Sequence, residues 1–385
     1  MDTADRDATS YGRSTAPADA VPTPDGNAAP GDAPRGRADM PVTQHSREID
    51  SASLNRGPGD PSREQHPSLP IPVQSGARPA PRRELAGITG GVFPLALGGS
   101  VFGWTASAED TVAILDRYAA LGGNFIDTAD SYSGGLSEVQ IGAWMRHRRN
   151  RDHIVVATKI GRHADYPGLA RQNVIAAVDA SLERLGTDRI DLLYLHRDDP
   201  TVPLESTLSA VRELMAAGKV LSLGASDFPA ERLVQARVLA AAGYPRITAY
   251  ETEYSLVNRR SFEGDRALVA RGQGLAVMPY FALASGYLTG KYRSRADFHG
   301  STRESRAEEH FTRRGRRVLR ALDEIAAAAS STPATVALAW LLHQPGVLAP
   351  VVSASHPEQV DALAASVHLT LENEQLHELD RASRS

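Results

Sequence analysis

From Phe93 onward the chain alternates short apolar runs with amphipathic stretches, and this repetition limits the possible folds more than any other feature. The runs are "FPLALG", "NFIDTA", "HIVVATK", "IDLLYLH", "VLSLGAS", "ITAYETEYS", "LAVMPYF" and "VLAPVVS", each ending in small or polar residues. Between them, stretches such as "AEDTVAILDRYAALG" and "RQNVIAAVDASLERLG" repeat apolar residues at helical spacing and close on glycine. Near-continuous apolar strands separated by helices indicate a parallel sheet covered on both faces. Eight such units in about 285 residues predict an α/β protein, a (β/α)8 TIM barrel, with an open doubly wound sheet as the alternative. "TLENEQLHELDRAS" reads as one extra C-terminal helix, and residues 286–315 form a long polar insertion after the seventh strand. On the catalytic face of a barrel such a loop is a candidate lid.

The domain division follows from composition. Residues 1–80 mix Pro, Ala, Gly, Asp and Arg without a period and predict a disordered tail, leaving 81–385 for the barrel. The tail has no apolar stretch of the secretory kind, and the expected compartment is cytoplasmic. A formal charge of -4 gives no reason to expect nucleic acid or an acidic membrane as partner. The chain has no cysteine, which excludes disulfides, thiolate catalysis and cysteine-ligated metals; no metal site is expected.

Polar residues collect at the predicted strand ends. Asp127 ends the second strand with Tyr132 just beyond it, Lys159 ends the third, and His196 ends the fourth. In a parallel barrel these ends share one rim, where the catalytic groups of such folds sit. Taken singly, Asp127 could cap a turn, Tyr132 could be a rim aromatic and His196 a structural histidine. Lys159 resists such a reading, because an ammonium at the end of an apolar strand needs a partner. The only other lysines are Lys219 and Lys291. Together the four groups suit protonation of an oxygen while a hydride attacks carbon. The ammonium would lower the phenol's pKa from ~10, the carboxylate would hold the ammonium, and the imidazole would polarise a carbonyl.

These residues and their settings resemble the aldo-keto reductase superfamily over roughly residues 85–382. The similarity is carried by "NFIDTADSYSGGLSE", "VVATKIG", "DLLYLH", "LGASDF", "ETEYSLVNR" and "GYLTGKY", in the family's order. It implies reduction of an aldehyde, ketone or keto-sugar to the alcohol, with hydride from NADPH (or NADH) and Asp127, Tyr132, Lys159 and His196 as catalytic tetrad, Tyr132 giving the proton. The partner is then a small carbonyl compound. The absence of a G-x-G-x-x-G fingerprint agrees with a cofactor bound without a Rossmann domain. Potassium-channel beta subunits share much of this motif set, so a cofactor-sensing regulatory protein with little turnover is the second reading.

The resemblance also implies cofactor contacts. Ser226, Asp227 and Glu251 match the positions that hold the nicotinamide carboxamide, with carboxylates where the family favours Asn and Gln. An ionised carboxylate only accepts hydrogen bonds, and two close together repel or trap a proton. Tyr280, Phe281 and Leu283 match the segment beside the nicotinamide, and Lys291 the pyrophosphate contact. Ser353, Ser355 and Gln359 match the adenosine end, where the arginine of many members is missing and Leu363 replaces the usual Asn.

Overall fold

The computed structural model describes residues 81–299 and 302–384; the predicted tail over 1–80 lies outside the described residues. The described chain opens with an antiparallel hairpin, β1 (Arg83–Leu85) and β2 (Ile88–Val92). Strands and helices then alternate: β3 (Ala96–Gly98), α1 (Ala108–Ala120), β4 (Phe125–Asp127), α2 (Leu136–Arg148), β5 (Val155–Ile160), α3 (Arg171–Leu185), β6 (Ile190–Leu195) and α4 (Leu204–Ala216). The second half continues with β7 (Val220–Ser226), α5 (Ala230–Ala241), β8 (Ile247–Glu253), α6 (Asp265–Gln273) and β9 (Ala276–Tyr280). After the insertion, which holds α7 (Thr302–Glu308), come α8 (Arg313–Ala328), α9 (Pro333–Leu342), β10 (Val351–Val352), α10 (Glu358–Ala365) and α11 (Asn373–Ser383).

Strands β3 to β10 form one parallel sheet in the order β10-β3-β4-β5-β6-β7-β8-β9. The two ends meet where Val277 donates to the Gly346 carbonyl (2.9 Å) and accepts from Leu348 N–H (2.8 Å). The sheet is thus a (β/α)8 TIM barrel, and α11 is the expected extra helix. The helices begin and end where local chemistry provides for them. The Ser107 hydroxyl accepts from Asp110 N–H at the start of α1, Thr332 caps α9 ahead of Pro333, and Gly186 ends α3 in the left-handed conformation.

Two differences from the sequence reading concern the edges. The first and eighth strands are shorter than their apolar runs, spanning 96–98 and 351–352. The hairpin ahead of the barrel was not expected. Its Leu85 and Val92 pack with Ala96, Phe125, Val155 and Met278 inside the barrel. Arg83 donates to the carbonyls of Leu342, Val347 and Leu348, fastening the hairpin to the closing segment.

Candidate active site

Strand alternation explains how a polar layer rests on an apolar one. Side chains two apart share a face, so the interior residues Phe125, Ala157 and Ala249 are followed, two positions on, by Asp127, Lys159 and Glu251. Register sets neighbours beside each other: Asp127 pairs Ala157, Lys159 pairs Tyr194, and Ser226 pairs Glu251. Gly224 is a glycine for a local reason, since a Cβ there would lie 2.5 Å from the Tyr194 ring.

Lys159 is the centre of the layer, only 1% exposed. Its Nζ donates to Asp127 Oδ1 at 2.5 Å and to the Thr128 carbonyl at 3.2 Å, and Glu251 Oε2 lies 3.2 Å away. The ammonium also lies 5.3 Å from the centre of the Tyr132 ring and 5.6 Å from that of Tyr194. Burial works against its charge, but Asp127 and Glu251 overcome this and hold its pKa well above the ordinary lysine value. His196, at the end of β6, meets Tyr132 edge-on with ring centres 6.1 Å apart. The four residues expected as a tetrad are therefore brought together.

Their protonation differs from expectation in one respect. Burial, opposed by Lys159 and reinforced by Asp127 and Glu251, pushes the Tyr132 phenol up to about 12. The ammonium does not bring the phenol below its ordinary value, because removing it from water outweighs one nearby cation. Tyr132 is thus a neutral O–H across the neutral range. Burial, with the charges of Lys159 and Arg162, holds His196 down to about 2, so its imidazole is neutral too. Both rings are hydrogen-bond donors without charge.

The expected cofactor residues are less uniform. Ser226 and Glu251 are buried on adjacent strands. Asp227 has φ 51°, a left-handed conformation that Asp tolerates better than most residues, and accepts from the Tyr280 hydroxyl at 2.7 Å. That bond fixes the Tyr280 ring at the rim. Phe281 is exposed with the Arg306 guanidinium 4.6 Å from its ring, and Leu283 packs on the core. Lys291 is exposed, lies 4.7 Å from the Tyr292 ring and, among the described residues, pairs with no carboxylate. At the far end Ser353 Oγ lies 3.2 Å from Ser100 Oγ, and Ser355 N–H donates to Gln359 Oε1 at 2.9 Å. A nicotinamide cofactor fits this site: Glu251 keeps one buried oxygen without a hydrogen bond, where a carboxamide can pair.

Sequence reasoning missed a second buried polar group behind the rim. Glu138 accepts from Thr158 Oγ1 at 2.5 Å and from Arg184 Nε at 2.7 Å, and next to it Asp130 is fully buried with neither oxygen hydrogen-bonded. Asp130 stood in plain view within "DTADSY", but a polar residue in a predicted loop carries no sign that it is buried. A cleft of about 450 Å³ lined by Arg259, Glu263, Leu268 and Arg271 lies along α6 on the helical shell; none of its lining residues belongs to the layer around Lys159.

The profile of the Aldo/keto reductase family matches residues 94–384, and the chain belongs to that family. It is an NAD(P)H-dependent oxidoreductase of carbonyl compounds. Among curated relatives, norsolorinic acid reductase stcV of Emericella nidulans is 34% identical over 316 residues, covering 77% of this chain and 79% of that protein. Norsolorinic acid reductase of Aspergillus flavus is 33% identical over 309 residues (76% and 78%). Protein tas of Escherichia coli is 32% identical over 324 residues (75% and 93%).

Proposed function

We propose that the protein reduces an aldehyde, ketone or keto-sugar to the corresponding alcohol, with Tyr132 as proton donor. The observation that carries this reading is the buried Lys159 ammonium, held by Asp127 at 2.5 Å and facing the Tyr132 ring at 5.3 Å. When bound, the nicotinamide supplies the hydride. Ser226, Asp227 and Glu251 would hold its carboxamide, Tyr280 and Phe281 would lie beside it with Leu283 behind, Lys291 would meet the pyrophosphate, and Ser353, Ser355 and Gln359 the adenosine end. NADPH is the expected cofactor.

The chain's own residues do the rest. Neutral His196 orients the carbonyl oxygen by a hydrogen bond. As negative charge grows on that oxygen, the Tyr132 O–H transfers its proton there. The phenolate left behind is stabilised by Lys159, and solvent restores the proton. A neutral donor suits this step, since a tyrosine already ionised has nothing to give.

Two exposed aromatic side chains favour a flat apolar substrate. Trp104 is 64% exposed in the loop after β3, which is tied to the Tyr132 segment by the Ser133 hydroxyl donating to the Phe102 carbonyl at 3.0 Å. Phe281 follows β9 on the same rim. The cytoplasm is the expected compartment. Among the described residues no single helix is long and apolar enough to cross a membrane.

Parallel fluorescence titrations with NADPH and NADH, followed by turnover of an aldehyde panel, test the reading. Tyr132→Phe is expected to bind cofactor as the wild type does and to lose reduction by about 10²–10⁴-fold, the range for general acid catalysis. Full activity in that variant removes Tyr132 from the mechanism. Tight cofactor binding with no turnover in the wild type favours the sensing role instead.

A further inference from the structure

One ammonium serves three acidic groups in this barrel. Asp127 reaches Lys159 with a 2.5 Å hydrogen bond, whereas Glu251 Oε2 lies 3.2 Å from the same Nζ yet makes no hydrogen bond, although Glu251 is only 2% exposed. Tyr132 is the third, its ring 5.3 Å from Nζ. With both carboxylates ionised the buried cluster carries a net negative charge, which opposes a phenolate on Tyr132. With one proton retained it is neutral, and the ammonium is available to Tyr132.

We propose that Glu251, besides facing the carboxamide, acts on Tyr132 through Lys159: its carboxyl carries the proton the cluster must retain, and its ionisation sets the alkaline limit of carbonyl reduction. The inference rests on the reductase reading above. Burial pushes the Asp127 carboxyl up as well, against the attraction of Lys159, so geometry makes the choice: the 2.5 Å bond to Asp127, against 3.2 Å to Glu251, points to Asp127 as the ionised partner and Glu251 as the proton holder. Burial first, then the Asp127 charge, against the attraction of Lys159, push the Glu251 carboxyl up to about 8. The groups facing it come from every side. They are Asp127 on β4, Lys159 on β5, Tyr194 on β6, Asp227 after β7 and Tyr280 on β9, with Tyr132 above. Only Lys159 is cationic. Neutral Tyr194 and Tyr280 do not offset a second carboxylate, and Asp227 is already engaged by Tyr280. A protonated carboxyl also has the O–H that an ionised one lacks, and can donate where an amide would.

The test compares wild type, Glu251→Gln and Glu251→Asp. Single-turnover oxidation of NADPH by nitrobenzaldehyde is followed from about pH 6 to pH 10, alongside the infrared carboxylic C=O band over the same range. In the wild type the rate is expected to fall about tenfold as pH rises through the Glu251 titration, one pKa unit in Tyr132 corresponding to a factor of ten. The C=O band bleaches over the same interval. In Glu251→Gln the band component at that titration is missing and the rate stays level to higher pH. Glu251→Asp restores the alkaline fall. A purely structural role for Glu251 lowers the rate at all pH values without moving the limb, and that result overturns the proposal, as does a Glu251→Gln profile superimposable on the wild type. If the wild type does not turn over at all, the reductase reading fails by itself. The infrared difference between wild type and Glu251→Gln then still decides whether Glu251 holds the proton, since Asp130 contributes equally to both, and identical C=O bands in the two proteins at neutral pH overturn the assignment.

Discussion

Asp130 shows how much a single buried group can weigh on this protein. It lies behind the rim, its backbone N–H donating to the Lys159 carbonyl at 3.0 Å while neither side-chain oxygen is hydrogen-bonded. Burial first, then the Glu138 carboxylate, against Arg184, raise its carboxyl to about 7. The folded state therefore binds this proton more tightly than the unfolded chain does. The associated stability is fully present below the unfolded pKa near 4 and is lost as pH rises through about 7. Asp130→Asn removes that dependence. By chemical denaturation the variant is expected to gain about 2–4 kcal/mol on the wild type at pH 8 relative to the difference at pH 4. A constant difference across that range would show that Asp130 ionises normally. Residues of this kind were the least legible in the sequence. Asp127, Lys159 and His196 stood out because they fall at the ends of apolar strands, whereas nothing in "TADSY" distinguishes a buried carboxyl from a loop one.

At the scale of elements, the hairpin and the insertion behave differently from their sequences. The hairpin strands are three and five residues long and carry Gly87, Gly90 and Gly91 about them, a composition that reads as loop. Tertiary contact makes them strands, as Leu85 and Val92 fill the barrel interior and Ser222 Oγ donates to the Ala86 carbonyl at 2.8 Å. Arg83 gives three hydrogen bonds to main-chain carbonyls of 342, 347 and 348, beside the point where the barrel closes. Arg83→Ala leaves those carbonyls unsatisfied and is expected to cost about 1–3 kcal/mol in urea denaturation. Loss of less than a few tenths would show that the hairpin is held by its apolar side chains alone. The insertion was legible as a rim feature but not as an ordered one. Tyr292 stacks on Phe298 with ring centres 4.4 Å apart, and Arg293 pairs with Asp323 of α8 at 2.6 Å. At the start of α8, Arg314 donates to the Val257 carbonyl at 2.6 Å and Arg317 to the Arg384 carbonyl at 3.2 Å.

For the whole molecule the governing fact is closure. Each inner strand finds hydrogen-bonding partners on both sides, and the pairing of Val277 with the 346–348 segment joins the last strand to the first through β10 and β3. A closed sheet removes the exposed edges that invite other chains to pair. Among the described residues its elements span residues 83–383. We therefore expect a protein of residues 81–385 to unfold at the same temperature as the full chain, within 2–3 degrees or about 1 kcal/mol, and to bind NADPH with the same affinity. Calorimetry and titration of the two proteins side by side check this. A large loss of either would assign residues 1–80 a part in the fold or the site.

Periodicity by itself narrowed the architecture of this protein to a parallel barrel or an open doubly wound sheet. Apolar runs of strand length alternate with helical repeats, and right-handed crossover of parallel strands leaves few ways to arrange eight such units. The same runs put Asp127, Lys159 and His196 at strand ends, and strand ends in a barrel meet. What the tertiary structure alone decided is the balance of charge. Whether Lys159 lowers the Tyr132 pKa depends on how far both are removed from water, and whether Glu251 meets a cofactor or an ammonium depends on a distance across the barrel. Neither quantity is local in sequence. Burial and through-space distance arise only when strands far apart in the chain close on one another.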